Sequence, residues 1–234
     1  MPKPARPAWL FAEYAPVGVD LASPEAVAAY DRNQGTDAAR DDALLDRLGV
    51  THGTRLVDLA CGTGSFPVQA ALRGAEAHGV DVGEEMLAYA RKRAEREGTR
   101  VRWHHAGFLD YVHEGDPADV VTTKAALHQL PDFWKQQALL NAASFLRPGG
   151  TFYLWDVIFT FPPDQATENL DWWVDTAARA EGEGFTRQTF ETHIREEFST
   201  YSWILEGLFE RAGLEVISKD FTSPVHGEYI CRKS

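Results

Sequence analysis

A chain of 234 residues, 44% hydrophobic and 25% charged, holds enough apolar side chain for one α/β domain with a substantial core. Its formal charge of −12 argues against a nucleic-acid partner, because neutralising phosphates takes clustered Lys and Arg. No apolar run reaches transmembrane length, the N-terminus lacks a signal-peptide core, and two cysteines give no disulfide framework. The expectation is a reducing cytoplasm and no membrane partner.

The chain opens on a proline-rich start, Met1 to Pro7, that should be loose. An aromatic arm follows with Trp9, Leu10, Phe11 and Tyr14. Ser23-Pro24-Glu25-Ala26 then reads as a capped helix start, and that helix carries Tyr30. A second helix is expected over Thr36–Leu48, with Ala39, Leu44, Leu45 and Leu48 on one side and Gly49 as its stop.

From Arg55 the pattern alternates between strand and helix, as a doubly wound sheet requires. Strand one ends at Asp58 and strand two, opening at Ala75, ends at Asp81. Helix Glu84–Glu97 has acids in its first turn and bases later, matching the helix dipole. Within it Arg91-Lys92-Arg93, beside Glu95 and Glu97, reads as a solvated face. Val101–His105 is strand three and Ala118–Thr123 strand four. Helix Asp132–Leu146 stops at Arg147-Pro148-Gly149-Gly150 before strand five, Thr151–Ile158. Residues 213–220 and 227–232 make the last two strands, the final one antiparallel. The segment Phe159–Phe198 breaks the alternation with helical pieces at Gln165–Ala180 and Thr186–Glu197, several aromatics, and Gly182 and Gly184.

The chain is organised around Val57-Asp58-Leu59-Ala60-Cys61-Gly62-Thr63-Gly64-Ser65-Phe66-Pro67. A buried strand, a glycine turn and a helix start make a nucleotide-binding corner, since Gly62 and Gly64 let the backbone turn tightly and approach a ligand. Pro67 stands where a dinucleotide fingerprint needs its third glycine, and no lysine follows to make a P-loop.

This stretch resembles the first motif of the class I S-adenosylmethionine-dependent methyltransferases. Ala75-Glu76-Ala77-His78-Gly79-Val80-Asp81, the helix that follows, and "LRPGG" before strand five extend the resemblance over roughly residues 50–160 and 200–232. It implies an α/β fold: a doubly wound, mostly parallel, seven-stranded Rossmann-like sheet. Residues 1–50 would form an arm and helices covering the site, with Trp9, Phe11 and Tyr14 either sharing in that cover or simply packing on the core. Residues 51–234 would form the methyltransferase domain, with 159–198 inserted after strand five as a lid or substrate wall. The activity implied is methyl transfer from S-adenosylmethionine to a small-molecule acceptor. The alternative is a cofactor-binding regulatory or assembly module without methyl transfer.

By the same resemblance Gly62 and Gly64, with Ala60 and Cys61 of the same loop, pass close to the methionine part, and Asp58 holds the ammonium region. Asp81 takes the ribose hydroxyls, while Val82 and Met86 flank the adenine. Gly107 stands where the family most often has aspartate, so the amide of Phe108 would serve the adenine edge. Lys124 would contact the methionine portion through its backbone. His128 in "TTKAALHQLPDFW" would sit near the transferring methyl, as proton acceptor or as a structural histidine. No metal site is expected: His104 and His105 face opposite ways on a strand, and His193 and Glu197 read as a surface ion pair. The oligomeric state is left open.

Overall fold

The computed structural model describes residues 7–14, 22–35 and 37–234. The first residues of the proline-rich start and the expected helix start at Thr36 lie outside them. Eight helices and eight strands are described: α1 (Pro24–Gln34), α2 (Ala38–Arg47), β1 (Arg55–Leu59), α3 (Ser65–Leu72), β2 (Glu76–Asp81), α4 (Glu84–Arg96), β3 (Arg102–His105), β4 (Ala118–Lys124), α5 (Asp132–Phe145), β5 (Leu146–Phe159), α6 (Ala166–Ala177), α7 (Arg187–Glu196), β6 (Thr200–Tyr201), α8 (Ser202–Arg211), β7 (Leu214–Ser223) and β8 (His226–Lys233). The sheet order is β3-β2-β1-β4-β5-β8-β7, with β6 paired to β5. Strands β1 to β5 run parallel, and β8 pairs antiparallel with both β5 and β7. The doubly wound expectation holds. The strand beyond the expected seven is the two-residue β6, and helix α8 carries no sequence signal strong enough to have been expected.

Alternation along the strands sorts side chains onto two faces. Val57, Leu59, Val121, Phe152 and Leu154 point into a core closed by α5 and α8. Leu56, Ala77, Val120 and Tyr153 point the other way, onto Leu44, Leu45 and Leu48 of α2 and Phe66 and Ala70 of α3. Fully burying each such side chain stabilises the fold by about 1.5–3 kcal/mol.

Local chemistry sets the helix ends. Ser23 Oγ accepts from the Ala26 amide at 3.1 Å, with Pro24 opening α1 where its missing N–H costs nothing. Asp37 caps α2 by accepting from the Ala39 amide at 2.9 Å. Helix α5 ends at Phe145, and β5 begins at once. Leu146 pairs with Ala118 and Thr151 with Val120, so Arg147–Gly150 is absorbed as an irregularity of the strand rather than a turn before it.

Two further expectations are corrected by packing. Arg93 is buried: its Nη2 donates to both carboxylate oxygens of Asp31 of α1, at 2.8 and 2.7 Å, and Thr63 Oγ1 and Tyr89 Oη donate to the same carboxylate. The arm does not cover the glycine loop. Trp9 stacks on Trp134 of α5, Phe11 packs into the α5–α8 core and meets Phe198 edge-on, and Gly64 lies on the opposite face.

Candidate active site at the carboxyl ends of β1 and β4

Between β1 and β4 the strand order reverses direction, and in open α/β sheets ligands bind beyond the carboxyl ends at that point. Both strands end there on non-glycine residues with left-handed backbones, Ala60 at φ 56° and Ala125 at φ 51°. Such conformations cost roughly 1–3 kcal/mol each and cluster at functional sites.

The two glycines of the loop do different work. A Cβ on Gly62, at φ 54°, would meet nothing within 4 Å, so its backbone borders open space. A Cβ on Gly64 would stand 2.6 Å from the Trp103 ring and 2.7 Å from Ala90, so this glycine brings the loop against α4 and β3. The Gly62 amide donates to Asp81 Oδ2 at 2.8 Å, and the Gly83 amide to Asp81 Oδ1 at 2.7 Å.

Asp58 is almost fully buried and accepts from Thr122 Oγ1 at 2.6 Å. Burial pushes its pKa up to about 6, partly offset by the Lys124 charge and the Thr122 hydrogen bond. Lys124 reaches Asp41 Oδ1 at 3.0 Å and lies 4.1 Å from the Phe66 ring centroid. Burial also pushes the Cys61 thiol up, which keeps it protonated.

A cavity of about 330 Å³ opens here. Asp58, Ala60, Cys61, Gly62 and Lys124 of the expected cofactor set line it. Gly64, Asp81, Val82, Met86, Gly107 and Phe108 do not. Of these, Gly107 and Phe108 lie against the arm. The Glu13 carboxylate accepts from the amides of Phe108 at 2.6 Å and Leu109 at 3.0 Å, and a Cβ on Gly107 would fall 2.3 Å from it. A carboxylate thus does stand beside this loop, but it comes from the arm and needs a glycine at 107 to fit.

Thr63, Ser65, Phe66 and Ala125 of the same motifs line it too, and the wall is completed by residues outside any motif, among them Tyr30 and Gln34 of α1, Arg40 of α2, Tyr153 and Trp155 of β5, and Glu228 of β8. The Arg40 guanidinium lies 5.8 Å from the Trp155 ring centroid, and Tyr153 Oη donates to Glu228 Oε2 at 2.9 Å. Burial pushes the Tyr30 hydroxyl up to about 12. The expectation that helices of residues 1–50 cover the site pointed to α1 and α2, and the alternation of β5 hinted at its positions; nothing in the sequence ties β8 to the glycine loop.

His128, expected near the methyl, is not among the residues lining this cavity. It is buried on the short 3-10 turn after β4, its Nδ1 against Asp156 Oδ1 and its Nε2 3.0 Å from Glu197 Oε2. Burial works against charge on this ring, but the two carboxylates outweigh it and push its pKa up to about 9. With both nitrogens engaged, proton acceptance from a substrate would require His128 to give up a carboxylate. Glu197 also contacts His193 Nδ1 at 2.6 Å, so the pair expected at the surface is an interior contact.

A methyltransferase-domain family model matches residues 56–150. A ubiquinone biosynthesis O-methyltransferase of Aeromonas salmonicida is 32% identical over 116 residues, covering 49% of this chain and 48% of that protein. The 27-O-demethylrifamycin SV methyltransferase of Amycolatopsis mediterranei is 30% identical over 166 residues, covering 66% of this chain and 57% of that one. The chain thus spans about half the length of the first of these relatives. Among solved structures, magnesium protoporphyrin IX methyltransferase from Synechocystis with bound SAH matches with a TM-score of 0.65 over 88% of this chain and 94% of that one. At 14% identity this is a likeness of fold alone. With its glycine loop and its switch-point cavity built around residues 56–150, the chain carries a domain of the methyltransferase-domain family.

Proposed function

We propose that the protein transfers a methyl group from S-adenosylmethionine to a small-molecule acceptor. The carrying observation is the cavity, which runs from the Asp58–Gly62 loop to a wall of Tyr153, Trp155 and Glu228 that no cofactor contact requires. A module that only bound the cofactor would have no use for that second wall.

S-adenosylmethionine supplies a methyl already activated on a sulfonium, so the chain's residues have mainly to bind, orient and exclude water. The fit rests on three features: open space at Gly62, a buried acid at Asp58 suited to an ammonium, and spare acceptor capacity on Asp81. Each Asp81 oxygen receives one amide, and a carboxylate has about four lone-pair sites, so it can still accept from ribose hydroxyls. Val82 and Met86 would pack the adenine, with the Phe108 amide at its edge once Glu13 withdraws. Gly64 and Gly107 act through packing and clearance, while Ala60, Cys61 and Lys124 shape the methionine end. Helices α1 and α2 cover the cavity, and the insertion adjoins them where Phe185 meets Tyr30.

An oxygen acceptor is the first to test, because both relatives above are named for O-methylation or for a demethylated oxygen position. The charge of −12 disfavours a nucleic-acid acceptor. Among the described residues no helix is long and apolar enough to cross a membrane. Two free cysteines fit a reducing cytoplasm. Methyl-labelled cofactor with a panel of small hydroxylated acceptors should give labelled product. Tight binding of S-adenosylhomocysteine without product from any acceptor would favour the regulatory module, and absence of binding would sink both.

A further inference from the structure

Behind the aromatic wall of the cavity lies a second polar centre. Trp155 stacks on His226 at 5.6 Å, His226 meets Trp173, and Trp173 stands edge-on to His193. Beyond it, His128 Nε2, His193 Nδ1 and a Glu197 carboxylate oxygen lie within 4.8 Å of one another. Glu197 Oε2 is 3.0 Å from His128 Nε2 and 2.6 Å from His193 Nδ1. The three come from two elements: His128 from the turn after β4, and His193 and Glu197 one helical turn apart at the end of α7.

We propose that His128, His193 and Glu197 bind one divalent transition-metal ion of the zinc class, which ties the insertion to the sheet. Two imidazoles and a carboxylate are a zinc donor set, and ligand atoms about 2.0–2.2 Å from a tetrahedral ion lie roughly 3.3 Å apart. Small rotations of the three side chains bring the present spacing to that value.

Each ligand is also oriented from behind, as metal ligands are. His128 Nδ1 faces Asp156 Oδ1, whose partner oxygen accepts the His128 amide at 3.1 Å. His193 Nε2 lies 2.8 Å from Ser199 Oγ, and Gln129 Nε2 donates to Glu197 Oε2 at 2.9 Å. Charge balances as well. Asp156 and Glu197 set two carboxylates around His128, and a bound dication answers both. The nearby Lys135 ammonium is already held by Asp132 at 2.9 Å. The fourth position falls to water, and the Trp173 indole N–H, buried and without a hydrogen-bond partner, stands ready as a donor on the cluster's wall.

The test is titration of chelator-treated, dialysed full-length protein with Co²⁺ and then Zn²⁺, following visible absorption and the melting temperature. One equivalent of Co²⁺ should give an intense four-coordinate spectrum that zinc bleaches, and zinc should raise the melting temperature. His193→Ala and Glu197→Gln should abolish the spectrum, and Asp156→Asn should weaken binding about 10- to 100-fold. His78→Ala, in the separate stack of His78 on His104, should leave binding unchanged. No spectrum and no melting shift in the wild type overturns the site, and that result needs no variant to fold. Binding that survives His193→Ala, or vanishes in His78→Ala, overturns it equally.

Discussion

Asp58 carries a pH signature at the centre of the cavity. Burial, only partly offset by Lys124, raises its pKa from 3.8 to about 6. An acid raised on folding stabilises the fold below its unfolded pKa and loses that contribution as pH climbs through the folded one. Binding of a cationic ammonium has the opposite preference, since it needs the carboxylate. Affinity for S-adenosylhomocysteine should therefore rise about tenfold per pH unit up to about pH 6 and flatten above it, and Asp58→Asn should flatten the whole profile in calorimetry. The two loop glycines should separate just as cleanly. Gly64→Ala drives a methyl into Trp103 and Ala90 and should cost about 1–3 kcal/mol of stability in denaturant melts. Gly62→Val meets no atom but is strained at φ 54°, so some stability is lost while ligand affinity should fall by about 1.4 kcal/mol or more, a factor of ten. In the sequence both glycines looked alike, because close approach to a ligand and close approach to a helix demand the same missing Cβ.

Among the elements, α1 depends on a single buried ion pair. Asp31 holds Arg93 of α4 together with Thr63 and Tyr89, and this contact brings Tyr30 and Gln34 to the cavity. Asp31→Ala leaves Arg93 buried without its partner and should cost about 3–5 kcal/mol in chemical denaturation. It should also weaken ligand binding, because α1 lines the cavity. The sequence hid this pair. Arg91-Lys92-Arg93 between acids has the pattern of a solvated face, and only α1 folding over α4 turns one of the three inward. His193 and Glu197 misled in the same way, since a spacing of four suits a surface pair and a buried one equally. The strands of the sheet were readable because their apolar, β-branched runs end in Asp58 and Asp81. Helix α8 was not, having no side-chain cap and a weakly one-sided pattern.

The described residues form a core on each face of the sheet and a smaller cluster under the insertion. Val157, Phe161, Trp173 and Val225 form that cluster; α7 buries no residue fully, and α6 buries only Trp173 and Val174. Few buried contacts mean a low local opening energy. Backbone amides of α6 and α7 should exchange with deuterium well before those of β1, β4 and α5, and uniform protection across the chain would contradict this division. The strand order was foreseeable because alternating elements permit few topologies. Where the arm lies was not, because aromatic residues fit either face of a sheet and nothing local chooses between them.

The Glu13 carboxylate reaches across 95 residues to the Phe108 amide. Its consequence belongs to time rather than to affinity. A ligand needing that amide must wait for the arm to leave. In stopped-flow mixing the observed association rate should then stop climbing as ligand concentration increases and settle at the rate of arm opening. Glu13→Ala removes the competing acceptor. The plateau should vanish, and association should become proportional to concentration, limited by encounter alone.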